Sequence, residues 1–369
     1  MNKIFKKMKA CLPVWSAVFF GLFFAALIVN AVIKINPAFA NAVHRTAGAF
    51  TRALLATVTS WIPFSLAEIM LILSPVLLFL ICFFMIRRLK RSLVSGIRYF
   101  VGFLSIMSLV FTFLVFGYNA SFYSESVEDK VDIQREDLSP EQLYDTAILL
   151  IDAIREDIAH VNYPESTYSE MSFSYAEMNR KLNEAYRTLS DRYPSFQKMY
   201  INTNTKPVML SEPWTYTHIS GVYTFFTGEA NVNVNYPDFI MVSSAAHEMA
   251  HQRGIGKEDE ANFVAFLVCS LSDDPYIRYS GYADVLNDVM SQLSSASAEL
   301  YAKARAYMPQ ELKNEYTAYS VFFDKYRENI AATVSTTVNN AYITSHNQPQ
   351  GVKSYGLVVD LVAAYMLSE

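Results

Sequence analysis

The chain has 369 residues, 52% of them apolar, and a formal charge of −5 that conceals two regimes. Residues 1–117 carry 12 Lys and Arg against one acid, Glu68, a net of +11, which leaves 18 basic and 34 acidic residues, net −16, in 118–369. That division argues against one uniform soluble domain, and the acidic larger part argues against nucleic-acid binding, because phosphate contacts need clustered Lys and Arg. Three cysteines, Cys11, Cys82 and Cys269, make no disulfide framework and leave the redox compartment open.

In chain order, three stretches reach the ~20 apolar residues that a bilayer core requires: about 11–33, 64–86 and 99–118. They read as three transmembrane helices within a membrane region, 1–118, whose partner is the lipid bilayer. Orientation follows from the flanking basic residues. Lys3, Lys6, Lys7 and Lys9 precede the first span, and RRLKR, Arg87 to Arg91, with Arg98 separates the second from the third. Both belong on the cytoplasmic side, so everything from about residue 119 faces the extracytoplasmic space of a multi-pass protein. The stretch PAFANA, Pro37 to Ala42, imitates a signal-peptidase site; cleavage there would remove one helix and leave the last domain outside.

Residues 119–136 are polar and read as a linker, followed by a domain over 137–369. Ser139 and Pro140 open a helix with apolar spacing through Leu149, Leu150, Ile154 and Ile158, and a second helical pattern covers about 173–192. In 224–240 the texture changes: Ala230, Val232 and Val234 alternate with Asn231, Asn233 and Asn235, which predicts a half-exposed strand. From Ser243 to about 340 the pattern is helical, broken near Asp273-Asp274-Pro275 and at Pro309.

Residues 247–251 read His-Glu-Met-Ala-His. On a helix, positions i and i+4 share a face, so His247 and His251 can hold one Zn2+ while Glu248 serves as base for an attacking water. Gly254 and Gly256 then turn the chain, and Glu258 opens a second helix running back along the first. That hairpin puts Glu258 beside His251 as third metal ligand and Asn262, one turn on, near His247 as the acceptor that orients it. Glu260 is the competing ligand; it lies roughly 200° round the helix from Glu258, so the two cannot face one ion. The metzincin pattern fails, because Lys257 stands where its third histidine would be.

HExxH followed by Glu258-x-x-Ala261-Asn262 is similar to gluzincin zinc metallopeptidases. More closely, SGVYTFFTGEANVN (220–233), AAHEMAHQRGI (245–255), KEDEANFVAFLVCS (257–270) and GVKSYGLVVDL (351–361), behind a multi-span N-terminus, resemble the bacterial membrane family known as domain of unknown function 3810. The resemblance implies a mainly α fold with a small β-sheet, a zincin-like (gluzincin) extracytoplasmic domain behind three N-terminal transmembrane helices, in the bacterial cytoplasmic membrane. Asn262 stands where many gluzincins have Asp, and supplies no negative charge.

Further candidates are the Asn231, Asn233, Asn235 strand as an edge on which a peptide lies, and His346 or Tyr355 as oxyanion donors. The sequence therefore predicts a membrane-anchored zinc metallopeptidase hydrolysing peptide or protein substrates outside the cytoplasm. The alternative is a non-enzymatic sensor or scaffold with a structural zinc site. Cytoplasmic pieces of about ten residues give a sensor little output, and a structural site has no use for Glu248.

Overall fold

A computed structural model describes residues 12–164, 168–199 and 201–368; the basic tail Lys3 to Lys9 and Cys11 lie outside the described residues. Three helices are long and apolar enough to cross a membrane: α1 (Val14–Ile35), and, after the short α2 (Pro37–Val43), a π-helical turn (His44–Gly48) and α3 (Ala49–Ser60), α4 (Leu66–Arg91) and α5 (Leu93–Gly117). The basic run RRLKR does not interrupt them. Arg and Lys are good helix formers, so α4 continues through Arg91 and only Ser92, which caps α5 by accepting the Ser95 N–H, separates the two. Small residues let α1 and α5 approach: Ser105 donates to Ser16 at 3.0 Å, and Gly102 packs under Trp15.

The expected linker is not a free tether. Residues 119–122 are buried, α6 (Val127–Val131) follows, and Val127 and Val131 enter the main core. Polar composition concealed this, because Ser121, Ser124 and Asn119 hydrogen-bond locally or to the first helix. The segment between the first two apolar helices is equally built in. Arg52 of α3 is buried and donates to Gly117 O at 3.0 Å.

The rest of the chain is mainly helical. It comprises α7 (Pro140–Asp157), α8 (Tyr175–Arg192), β1 (Lys206–Pro207), α9 (Ser211–Thr215), β2 (Gly221–Thr224), β3 (Glu229–Val232), α10 (Asp238–Gln252), α11 (Glu258–Ser270), α12 (Pro275–Ala296), α13 (Ala298–Tyr307), α14 (Gln310–Asp324), α15 (Ile330–Ser345) and α16 (Val358–Met366). Ser139 and Gln142 form the complete capping box of α7, and Pro275 and Pro309 stand at helix starts, as their fixed φ favours. α10 lies in the middle of the domain between α11, α12 and the sheet. Its Phe239, Met241, Val242 and Met249 are buried, each stabilising by about 1.5–3 kcal/mol, so this helix cannot shift without disturbing the core.

The sheet has order β1-β3-β2, with β1 parallel and β2 antiparallel to β3. The strand expected to be a half-exposed edge is therefore the central one. Asn231 and Asn233 are buried, and Asn235 is half-buried. Hydropathy misleads here because each amide finds internal partners: Asn231 donates to Val222 O, Asn233 to Thr215 Oγ1 and Ile219 O, and Asn235 to Thr215 Oγ1 and Tyr326 OH. The edge strand beside α10 is β2.

Domain and apolar helices are locked together by buried charge. Lys206 donates to Thr59 O at 2.7 Å and pairs with Glu229 at 2.6 Å, while Glu229 accepts the Leu66 and Ala67 N–H groups that open α4. Glu68, the lone acid of the first third, accepts the N–H groups of Met209 and Leu210, both at 2.8 Å. The domain thus sits on the N-terminal end of α4 and, through Tyr118, on the C-terminal end of α5, opposite the RRLKR end.

Candidate metal centre and its cavity

His247, Glu248 and His251 project from the last two turns of α10. The helix stops at Gly254, whose φ of +98° is left-handed and natural only to glycine; Arg52 and His44 pack where a side chain would stand. Gly256 follows against Ser121 and Phe122, again with no room for a Cβ, and α11 then runs back along α10. The hairpin expected from the sequence is therefore present, and the buried segment after α5 closes it from outside.

Its product is a convergence of three donors. His247 Nε2 and His251 Nε2 each lie 3.3 Å from Glu258 Oε2, and all three ligand atoms fall within 4.8 Å of one another. Tetrahedral zinc with ligands at 2.0–2.1 Å separates its donors by about 3.3 Å, the spacing of each histidine nitrogen from the Glu258 oxygen, so the donor types and these two distances suit that ion. Glu260 is outside the cluster, its carboxylate 2.7 Å from Lys257 Nζ. Burial opposes charge on both sides of the cluster, yet the Glu258 carboxylate outweighs it and pushes His251 up to about 9. In return burial is outweighed by the two imidazoles, which hold Glu258 well below the usual carboxylate range. An ion would take the place of that shared proton.

The orientation of His251 comes from an unexpected source. Its Nδ1–H donates to Ile255 O at 2.8 Å, which aims Nε2 at Glu258. Tyr118 OH, one residue beyond α5, stands 3.0 Å from Nδ1 and donates to the same carbonyl at 3.3 Å. Nothing in the sequence signals this contact across 133 positions. Gln348 is a second such residue: its Oε1 accepts the Glu258 N–H at 2.9 Å.

Asn262 does not hold His247. It lies one turn beyond Glu258 as expected, but its amide donates to Tyr355 O at 3.4 Å, because that face of α11 packs on the 351–357 turn. Tyr355 itself stacks on His247 with ring centroids 6.4 Å apart, and burial followed by the charge of Glu258 keeps its phenol protonated far above the usual range. His346 goes elsewhere: its Nδ1 faces Tyr342 O at 2.8 Å, and its ring lies on Phe122. Of the two expected donors, Tyr355 lines the cavity at the centre and His346 does not.

Glu248 is buried, and desolvation pushes its carboxyl up to about 7 against the lowering pull of His247, His251 and the Tyr223 N–H. Gly221 in β2 makes room for it: a Cβ there would stand 2.6 Å from Glu248 Cγ. The motif around Gly221 and Tyr223 was visible in the sequence, although its reason was not.

The centre opens into a cavity of about 1240 Å³, walled by β2, α10, α11, α12, α15 and the first turns of α4. Asp284 and Asp288, four residues apart on α12, face it; burial raises both carboxyls, Asp288 to about 7 with a further push from Asp284.

The model of the family described as Protein of unknown function (DUF3810) matches residues 46–363, and the chain belongs to that family. No curated protein and no solved structure matches it.

Proposed function

We propose, for this member of a family whose description names no activity, that it is a membrane-anchored zinc metallopeptidase cutting peptide bonds on the extracytoplasmic side. The observation that carries the reading is the buried Glu248 beside a three-donor cluster at the end of an open cavity. A structural zinc site uses four protein ligands; among the described residues three converge here, and the fourth direction meets the cavity. That favours catalysis over the scaffold reading.

Bound zinc would acidify a water molecule and polarise the scissile carbonyl. The chain supplies the rest. An extended substrate lies on the free edge of β2, exchanging backbone hydrogen bonds with Gly221 and the Tyr223 carbonyl, since Val222 and Thr224 face β3 and Glu248 holds the Tyr223 N–H; this is the role first assigned to Asn231, Asn233 and Asn235. Glu248, buried beside the three donors, takes the proton from water as it attacks and returns it to the leaving amine. The protonated Tyr355 donates to the carbonyl oxygen as charge develops on it. The side of the membrane rests on RRLKR, which lies at the far end of α4 from the domain and marks the cytoplasmic face.

The test is Glu248→Gln in the full chain, which keeps shape but cannot carry a proton. Zinc binding should persist while hydrolysis of a peptide library falls by at least ~10²–10⁴-fold. A wild-type chain that holds zinc and cuts nothing, with a cellular phenotype indifferent to Glu248→Gln, would establish the scaffold instead.

A further inference from the structure

The three-donor cluster stands close to the end of a helix long and apolar enough to cross a membrane. Tyr118, whose hydroxyl reaches His251, is the residue after α5 ends, so one tyrosine side chain separates the apolar helix from the ligand. The cavity also extends toward the bilayer: Ala67, Leu71 and Ile72 of α4 form part of its wall. Leu71 and Ile72 are the sixth and seventh residues of that helix, about 9 Å along it at 1.5 Å per residue. That position lies within the apolar run of the helix, and Leu71 is 71% exposed. Around this mouth Trp61, Phe64, Met209, Leu210 and Phe226 present apolar surface outward, in the pattern of residues that settle at a membrane interface. The buried Glu229, Glu68 and Lys206 contacts fix the domain at this height, so the mouth cannot turn toward bulk water.

Below the mouth, α4 is the barest of the three apolar helices. None of its most apolar stretch is buried, compared with 17% for α1 and 33% for α5. Its exposed flank continues about 30 Å, the thickness of a bilayer's apolar core, from Ala67 in the cavity wall to Arg87, where RRLKR begins. A single-leaflet acyl chain would use half of that surface; a second spanning helix would use all of it.

We propose that the substrate is a polypeptide anchored by one transmembrane helix, which packs along α4 while its first residues outside the bilayer thread past Leu71 and Trp214 to the free edge of β2. This rests on the peptidase reading above and specifies its substrate class. A site held this close to the membrane reaches only the few residues adjoining the anchor; a soluble chain gains nothing from the α4 wall.

The experiment uses the full zinc-loaded chain in lipid nanodiscs with one randomised ten-residue segment presented three ways: alone, carrying a palmitoyl group, and joined to a Leu/Ala spanning helix. The helix-joined library should be cut at least ~10-fold faster than either other form, with cuts confined to the residues next to the helix. Equal cutting of the soluble or palmitoylated library, or cuts spread evenly along the segment, would overturn the proposal while leaving the peptidase reading intact. A measurement independent of catalysis accompanies it: a photoreactive phenylalanine analogue replacing Leu71 in the Glu248→Gln chain. It should crosslink to the first turn of the spanning helix, and failure to crosslink overturns the proposal whether or not any library is cut.

Discussion

Replacing Gly221 by alanine tests the proposed role of Glu248 without touching it. The new methyl carbon would stand 2.6 Å from Glu248 Cγ, 2.7 Å from Oε1 and 2.9 Å from Cδ, where ordinary contact begins at 3.4 Å. Something must yield by about 0.8 Å. The strand cannot easily retreat, since Gly221 pairs with Val232 and the Asn231 amide ties β2 through Val222 O. The α10 backbone is held by the core, so the Glu248 side chain moves, at a cost of about 1–3 kcal/mol for overpacking. A displacement near 1 Å of a reacting group costs ~10²-fold in rate. The purified full chain should therefore keep its zinc, lose a few degrees of Tm, and hydrolyse about 100-fold more slowly whatever peptides the wild type cuts. Gly356→Ala, with no heavy atom within 4 Å of the added methyl, is the control and should behave as wild type. Wild-type hydrolysis by Gly221→Ala would refute the placement of Glu248 as base, and loss of zinc would show that the methyl disturbs the ligands.

Other perturbations separate the remaining parts of the account. Glu229→Gln leaves Lys206 buried without its counter-charge and weakens acceptance at the start of α4; denaturation in detergent should show a loss of about 3–5 kcal/mol, and no change would mean the pair is not the clamp between domain and helices. Tyr118→Phe leaves the Ile255 carbonyl to orient His251, so zinc affinity should fall by up to ~10-fold in competition with a chelator, and an unchanged affinity would remove Tyr118 from the site. Asp288 is raised from 3.8 to about 7, so its contribution is whole at low pH and is lost as pH rises between those values, where the folded chain binds the extra proton. Asp288→Asn should then stabilise by about 2 kcal/mol at pH 8, after allowing for its partial exposure, and by under about 1 kcal/mol at pH 4.5; equal Tm shifts at both pH values would contradict it.

What the sequence disclosed and what it hid divide along physical lines. The His247–Glu258 hairpin was legible because its determinants are local: an i, i+4 spacing, two glycines and an acidic first turn within a dozen residues. Asn231 and Asn233 were misplaced because a hydropathy pattern scores amides as exposed and cannot see that Val222 O or Thr215 Oγ1 accepts their N–H groups. The segment 119–136 looked like a linker because its polar side chains show only in three dimensions that they bond one another and the first helix, as Arg52, Lys206, Glu229 and Glu68 show their partners only there. A domain excised at residue 119 would lose the partners of Lys206, Glu229 and Gly254, so experiments belong on the full chain. Tyr118 was hidden more deeply, as it ends an apolar run and acts on a histidine far along the chain.

The most direct measurement is the zinc stoichiometry of the full chain purified in detergent, taken alongside His251→Ala, Glu258→Ala and Glu260→Ala. One zinc per chain is expected in the wild type and in Glu260→Ala, and none in the other two. A wild type without zinc, or zinc retained when His251 and Glu258 are each removed, would contradict it.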